Sequence, residues 1–297
     1  MIVDCHVHIW QQPGDVGLTM TDAGEPRRKL AADVSDHMEA TQSADVALAW
    51  GFASRRLGAE VDVAFLGQHM GLRTGRIVGI VGIDPADPAW RDKLAEAVDE
   101  WGFRGVTLCP AAQDLHPTDN RALALYEVCS ERGLPVMFDL PAEWRPGATL
   151  AFARPELLDG VAREFPDLKI VVSGFGAPYV DETLVLLEKF PWVYTDTAHV
   201  ASRPHALARA VARAHEAGVI DKVFFGSGFP LAWPRRVLAQ LFDQCSAQRV
   251  PRELLVPRDA IQALVHGDAL AALGIPRPEG FVERRIEPAE EEMADDH

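Results

Sequence analysis

Two histidines separated by one residue, His6 and His8, stand inside the apolar run Ile2–Trp10. On an extended strand, side chains two apart point the same way, ~7 Å apart at a rise of ~3.3 Å per residue. Imidazoles placed like this converge on one divalent ion. The plainer alternative is a pair that ends a strand and hydrogen-bonds to backbone, because short motifs match often by chance.

The elements that must position such a pair follow in a regular order. Apolar, β-rich runs occupy Ile2–His8, Asp45–Trp50, Ile77–Ile83, Gly105–Leu108, Pro135–Leu140, Lys169–Ser173, Trp192–Asp196 and Lys222–Gly226. Between them, Ala86–Trp101, Asn120–Arg132, Pro155–Phe165, Asp181–Phe190 and His205–Ala217 carry apolar residues at helical spacing. Gly and Pro punctuate the joins, as in Arg132-Gly133-Leu134-Pro135. Eight strands interleaved with helices predict an α/β fold, a (β/α)8 TIM barrel. An open doubly wound sheet is the alternative, but no Gly-x-Gly-x-x-Gly follows the first strand. The loops Gln11–Pro26, Cys109–Pro117, Leu140–Gly147 and Gly228–Pro234 each follow a strand. In a barrel, that puts them on the face where substrates bind.

The chain has 297 residues, 48% of them hydrophobic, enough for a full core. The barrel is expected over residues 1–276, with 277–297 as an acidic, solvated extension. A net charge of −15 repels phosphate backbones, so neither nucleic acid nor an anionic membrane is an expected partner. Cys5, Cys109, Cys129 and Cys245 are scattered without C-x-x-C spacing, which favours free thiols in a reducing compartment. With no basic leader and no apolar run of ~18 residues, a cytoplasmic location is expected.

Several segments together resemble the amidohydrolase-related branch of the amidohydrolase superfamily. They are Ile2–His8, Ile77–Pro85, Trp101–Leu108, Gly133–Phe138, Pro166–Ser173 and Lys222–Ser227. That branch includes aminocarboxymuconate-semialdehyde and γ-resorcylate decarboxylases, along with lactone and amide hydrolases. The resemblance implies a barrel, a mononuclear metal site at the strand C-terminal ends, and a homo-oligomer. It also implies ligands that this chain lacks. Asp139 stands where a histidine ends the fifth strand, and Gly174 where one follows the sixth. Gly228 replaces the aspartate after the eighth strand, and Cys109 replaces a substrate-side histidine after the fourth.

On this footing, His6, His8 and Asp139 are the expected metal ligands, a donor set suited to one Zn²⁺, Mn²⁺ or Fe²⁺ ion. A base to replace those lost at the glycines would come from His116, Asp196 or His199, all on or after strand ends. If no metal binds, His6 itself becomes the candidate base. Arg145, Arg203, Arg235 and Arg236 lie in post-strand loops where a guanidinium can fork a substrate carboxylate. Cys109 is a candidate substrate contact, a nucleophile if made a thiolate, and otherwise a small buried thiol. The expected function is a divergent hydrolase or decarboxylase of a small acidic or cyclic substrate. The alternative is an inactive barrel that binds a ligand or an assembly partner.

Overall fold

The structure, a computed structural model, describes residues 1–17, 32–140 and 147–281. Eight parallel strands follow one another around a barrel in chain order. They are β1 (Val3–Val7), β2 (Val46–Trp50), β3 (Ile77–Gly82), β4 (Val106–Leu108), β5 (Val136–Phe138), β6 (Ile170–Val172), β7 (Val193–Asp196) and β8 (Val223–Phe224). Each pairs in parallel with the next, Leu48 with Val78, Thr107 with Met137 and Val172 with Thr195, and the β1–β2 register shifts between Asp4 and Val7. The circle is completed between β1 and β8. The Cys5 N–H donates to the Phe225 carbonyl at 2.8 Å, the Gly228 N–H to His6 and the His8 N–H to Phe229, both at 2.9 Å.

Every residue of these strands is buried. Parallel strands covered on both faces need apolar side chains on both, which is why they read as Val/Ile runs rather than alternations. One face contributes Val46, Leu48, Val78, Ile80, Met137, Val171, Tyr194 and Phe224 to a cluster capped by the helix Ala269–Leu273. The other faces the surrounding helices. In Pro204–Glu216, for example, Leu207, Ala208, Ala210, Val211 and Ala214 form the buried stripe. Proline at its first position suits a turn whose N–H has no intrahelical partner.

All eight expected strands are present, shortened by a residue or two at their ends, and the expected helices are present too, the one expected over Ala86–Trp101 beginning at Trp90. Other elements join them, among them the helices Val34–Ala40, Val63–Leu72 and Pro234–Asp243 and two smaller pieces. A hairpin pairs Ala53–Ser54 with Ala59–Glu60, and a single helical turn spans Ala198–Ala201. Neither is long enough to leave a periodicity in the sequence. The proposed extension lies outside the described residues from 282 onward, and the loops after β1 and β5 are only partly described. Among the described residues, no helix is long and apolar enough to cross a membrane.

Candidate metal centre at the strand C-terminal ends

The ends of three strands, β1, β5 and β7, converge on a buried group of donors. His6 lies on β1, and His8 follows it directly. The two Nε2 atoms are 3.0 Å apart. Each ring is fixed from its far side: His6 Nδ1 lies 2.9 Å from Asp196 Oδ2, and His8 Nδ1 lies 3.3 Å from the Trp50 carbonyl. A carbonyl only accepts, and so does an ionised carboxylate, so both Nδ1 atoms carry the proton. Both Nε2 atoms are then lone pairs aimed at each other. With this tautomer on both rings, a proton or a metal ion between or beside the two Nε2 atoms satisfies them.

Asp196, at the end of β7, is the anchor. Its Oδ1 accepts the Gly174 and Ala198 N–H groups, both at 2.8 Å. Burial alone would raise this carboxyl, but the His6 imidazole and these N–H donors outweigh it and hold it below the usual carboxylate range. With both oxygens engaged by His6, Gly174 and Ala198, Asp196 is a partner of His6 rather than the free base weighed from the sequence. The carboxylate–histidine pairing is the usual outer support of a metal-bound imidazole.

Asp139 follows β5 and supplies the oxygen donor. His199 Nε2 lies 3.0 Å from its Oδ1, and the Cys109 thiol donates to its Oδ2 at 3.6 Å. His6, Asp139 and His199 each offer one ligand atom, all within 4.8 Å of one another, and all three residues are buried. Two or three imidazoles with a carboxylate form a borderline donor set that suits Zn²⁺, Mn²⁺ or Fe²⁺. The residues present fit a divalent cation.

His199 reaches this group from the Ala198–Ala201 turn after β7, and the two glycines make room for it. A Cβ on Gly174 (φ +54°) would stand 2.6 Å from the His199 Cβ and 2.7 Å from its backbone nitrogen. A Cβ on Gly228 (φ +66°) would stand 2.9 Å from the Ala198 carbonyl oxygen. Glycine is required at both places, by the left-handed backbone and by the space the turn occupies. The positions where ligands were expected are therefore clearance for a histidine arriving from β7.

The other expected site residues are distributed differently. His116 is exposed and accepts the Thr118 N–H at 3.1 Å, with its ring against Phe152, so it stands apart from the buried group. Arg203, Arg235 and Arg236 are exposed at the starts of the helices Pro204–Glu216 and Pro234–Asp243. Arg145 lies outside the described residues. Cys109 is buried, with its thiol on Asp139 Oδ2. Sequence reasoning missed Trp50, which ends an ordinary apolar strand and carries no motif.

Comparison with known proteins agrees with this architecture. Residues 3–275 match the model of the amidohydrolase family. A TIM-barrel protein of Bordetella bronchiseptica, itself uncharacterized, superposes with a TM-score of 0.68 at 20% identity, over 92% of this chain and 99% of that one. A candidate 2-pyrone-4,6-dicarboxylic acid hydrolase of Pseudomonas putida gives 0.61 at 17% identity, covering 92% and 97%. A dihydroxybenzoic acid decarboxylase of Polaromonas, solved with manganese and 2-nitroresorcinol, gives 0.62 at 13% identity, covering 92% and 96%. Curated protein sequences return no match. At these identities the structural likeness establishes the barrel, and the family match over nearly the whole chain establishes descent: this protein belongs to the amidohydrolase family.

Proposed function

We propose that the chain is a metal-assisted hydrolase or decarboxylase acting on a small cyclic carboxylate. The observation that carries this reading is the approach of His6 Nε2 to His8 Nε2, 3.0 Å apart, beside Asp139 and His199. His6 and His8 each have the Nδ1 proton held by a separate acceptor. His6, His8, Asp139 and His199 would hold one divalent cation. When bound, that cation polarises a carboxylate or carbonyl oxygen and lowers the pKa of bound water toward ~7.

The chain's own residues prepare this chemistry. Asp196 keeps the His6 proton on Nδ1, and the Trp50 carbonyl does the same for His8. The Cys109 thiol holds Asp139 through Oδ2, which leaves Oδ1, 3.0 Å from His199 Nε2, facing the other donors. All four donors are buried, so solvent does not screen their charges. The substrate class takes its support from relatives on the same barrel, one described as acting on a pyrone dicarboxylate and one on a dihydroxybenzoate.

The test is metal content by plasma mass spectrometry on protein purified without chelator or nickel affinity. About one equivalent of zinc, manganese or iron is expected, and it should be lost in Asp139→Ala. Loaded protein is then assayed against pyrone carboxylates and hydroxybenzoates; ring opening marks a hydrolase, release of CO₂ a decarboxylase. Protein that arrives metal-free and refuses added zinc and manganese overturns this reading in favour of a ligand-binding barrel.

A further inference from the structure

Trp50 touches both histidines of the pair, through different groups. Its indole lies flat on the His6 imidazole, with ring centroids 3.6 Å apart and planes inclined by 14°. Its carbonyl faces His8 Nδ1 at 3.3 Å. Its Nε1–H donates at 2.8 Å to the carbonyl of Cys5, the residue before His6. The side chain is fully buried at the end of β2, next to β1 in the barrel.

We infer that Trp50 is the positioning residue of the histidine pair: its ring face sets the plane of His6 and its carbonyl sets the tautomer of His8, so that both Nε2 atoms meet at one point. The inference rests on the metal-centre reading above for its function, but not for its geometry. An imidazole held only by Asp196 through Nδ1 can still pivot about that hydrogen bond. A flat aromatic surface at van der Waals distance removes this freedom, because tilting the ring costs contact along its whole face. The His8 contact comes from backbone and survives any substitution at this position. Replacing the side chain therefore frees His6 alone.

The stack also predicts a partner preference. A cation on Nε2 draws electron density from the imidazole, and an electron-poor ring is attracted to the indole face more strongly than a neutral one. Trp50 should thus favour the cation-loaded state of His6 over the empty one, and its emission should report the loading.

The test compares wild type, Trp50→Phe and Trp50→Leu by titration with cobalt(II) chloride, followed by the visible absorption of the bound ion. Proton NMR of the histidine ring resonances accompanies the titration. Phe keeps an aromatic face, so its cobalt affinity should stay within about threefold of wild type. Leu keeps bulk without a face, and its affinity should fall at least tenfold, on the scale of lost outer-sphere support. The His6 ring protons should be shifted upfield in wild type and in Trp50→Phe, and released in Trp50→Leu.

Cobalt binding by Trp50→Leu at wild-type affinity would overturn the inference, as would a loss in Trp50→Phe equal to that in Trp50→Leu. If wild type takes no cobalt, the metal-centre reading fails by itself. The NMR shift in metal-free protein then decides whether Trp50 positions His6, and unshifted His6 protons in wild type refute it. If Trp50→Leu does not fold, two readouts remain: the wild-type shift, and the change in Trp50 emission on cobalt addition, taken as wild type minus Trp50→Phe.

Discussion

Gly174 and His199, from different strand ends, share one space: a Cβ on the glycine would lie 2.6 Å from the histidine Cβ. The glycine after β6 is thereby tied to the imidazole that stands beside Asp139. Gly174→Ala should displace His199 and add left-handed strain of ~1–2 kcal/mol. We expect Gly174→Ala to weaken cobalt binding at least tenfold while the far-UV circular dichroism of the barrel is kept. His199→Ala should weaken it at least as much. An unchanged affinity in Gly174→Ala would show that the space is not needed for His199.

Asp196→Asn tests the tautomer argument at constant shape. The Asp196 oxygens accept from Gly174, Ala198 and His6. An asparagine that keeps its carbonyl on the two backbone N–H groups turns its NH₂ toward His6 Nδ1. The histidine proton then moves to Nε2, where a lone pair is needed. Metal affinity by calorimetry should fall 10- to 100-fold. The nitrogen shifts of His6 should show the exchanged tautomer. Wild-type affinity with the original tautomer would remove Asp196 from the support of the site.

Cys109 holds the outer oxygen of Asp139 through its thiol at 3.6 Å. Serine can make the same bond, and alanine cannot. Cys109→Ser should bind metal within about threefold of wild type and Cys109→Ala up to tenfold more weakly, a smaller loss than for Asp196 because a thiol is a weak donor. Equal losses in both would mean that sulfur itself, not the hydrogen bond, matters.

The barrel was legible because strands buried on both faces leave continuous Val/Ile runs such as Ile77–Gly82, and Gly/Pro joins mark where each ends. His6 and His8 were legible for a similar reason, since strand alternation alone puts them on one side. The rest of the site depends on distances that no local pattern encodes. His199 comes from a single helical turn, and its place is set by a glycine 25 residues earlier in the chain. Read by position, Gly174 and Gly228 looked like missing ligands. Read in space, they are the clearance for a donor arriving from the next strand. Trp50 offered no signal at all, because an aromatic residue ending a strand is ordinary core.

Apart from the site, His37 and His69 form a buried pair in the helices Val34–Ala40 and Val63–Leu72, His69 Nε2 lying 2.9 Å from His37 Nδ1. Among the described residues, the outer nitrogens, His37 Nε2 and His69 Nδ1, have no hydrogen-bond partner. Burial, then the charges of His69, Arg73 and His8, lowers His37 to about 3; burial and then Arg73 lower His69 to about 4. In the unfolded chain both titrate near ~6.5. Below that pH the unfolded state binds more protons than the folded one, so stability falls as pH drops, until the folded values are reached. Urea unfolding followed between pH 7.5 and 4.5 should show this loss beginning near pH 6.5, with these two residues contributing up to about two protons to the slope. His37→Gln should reduce the slope by about one proton. A slope unchanged in that variant would mean that the pair is protonated in the folded protein, with water or an ion at the outer nitrogens.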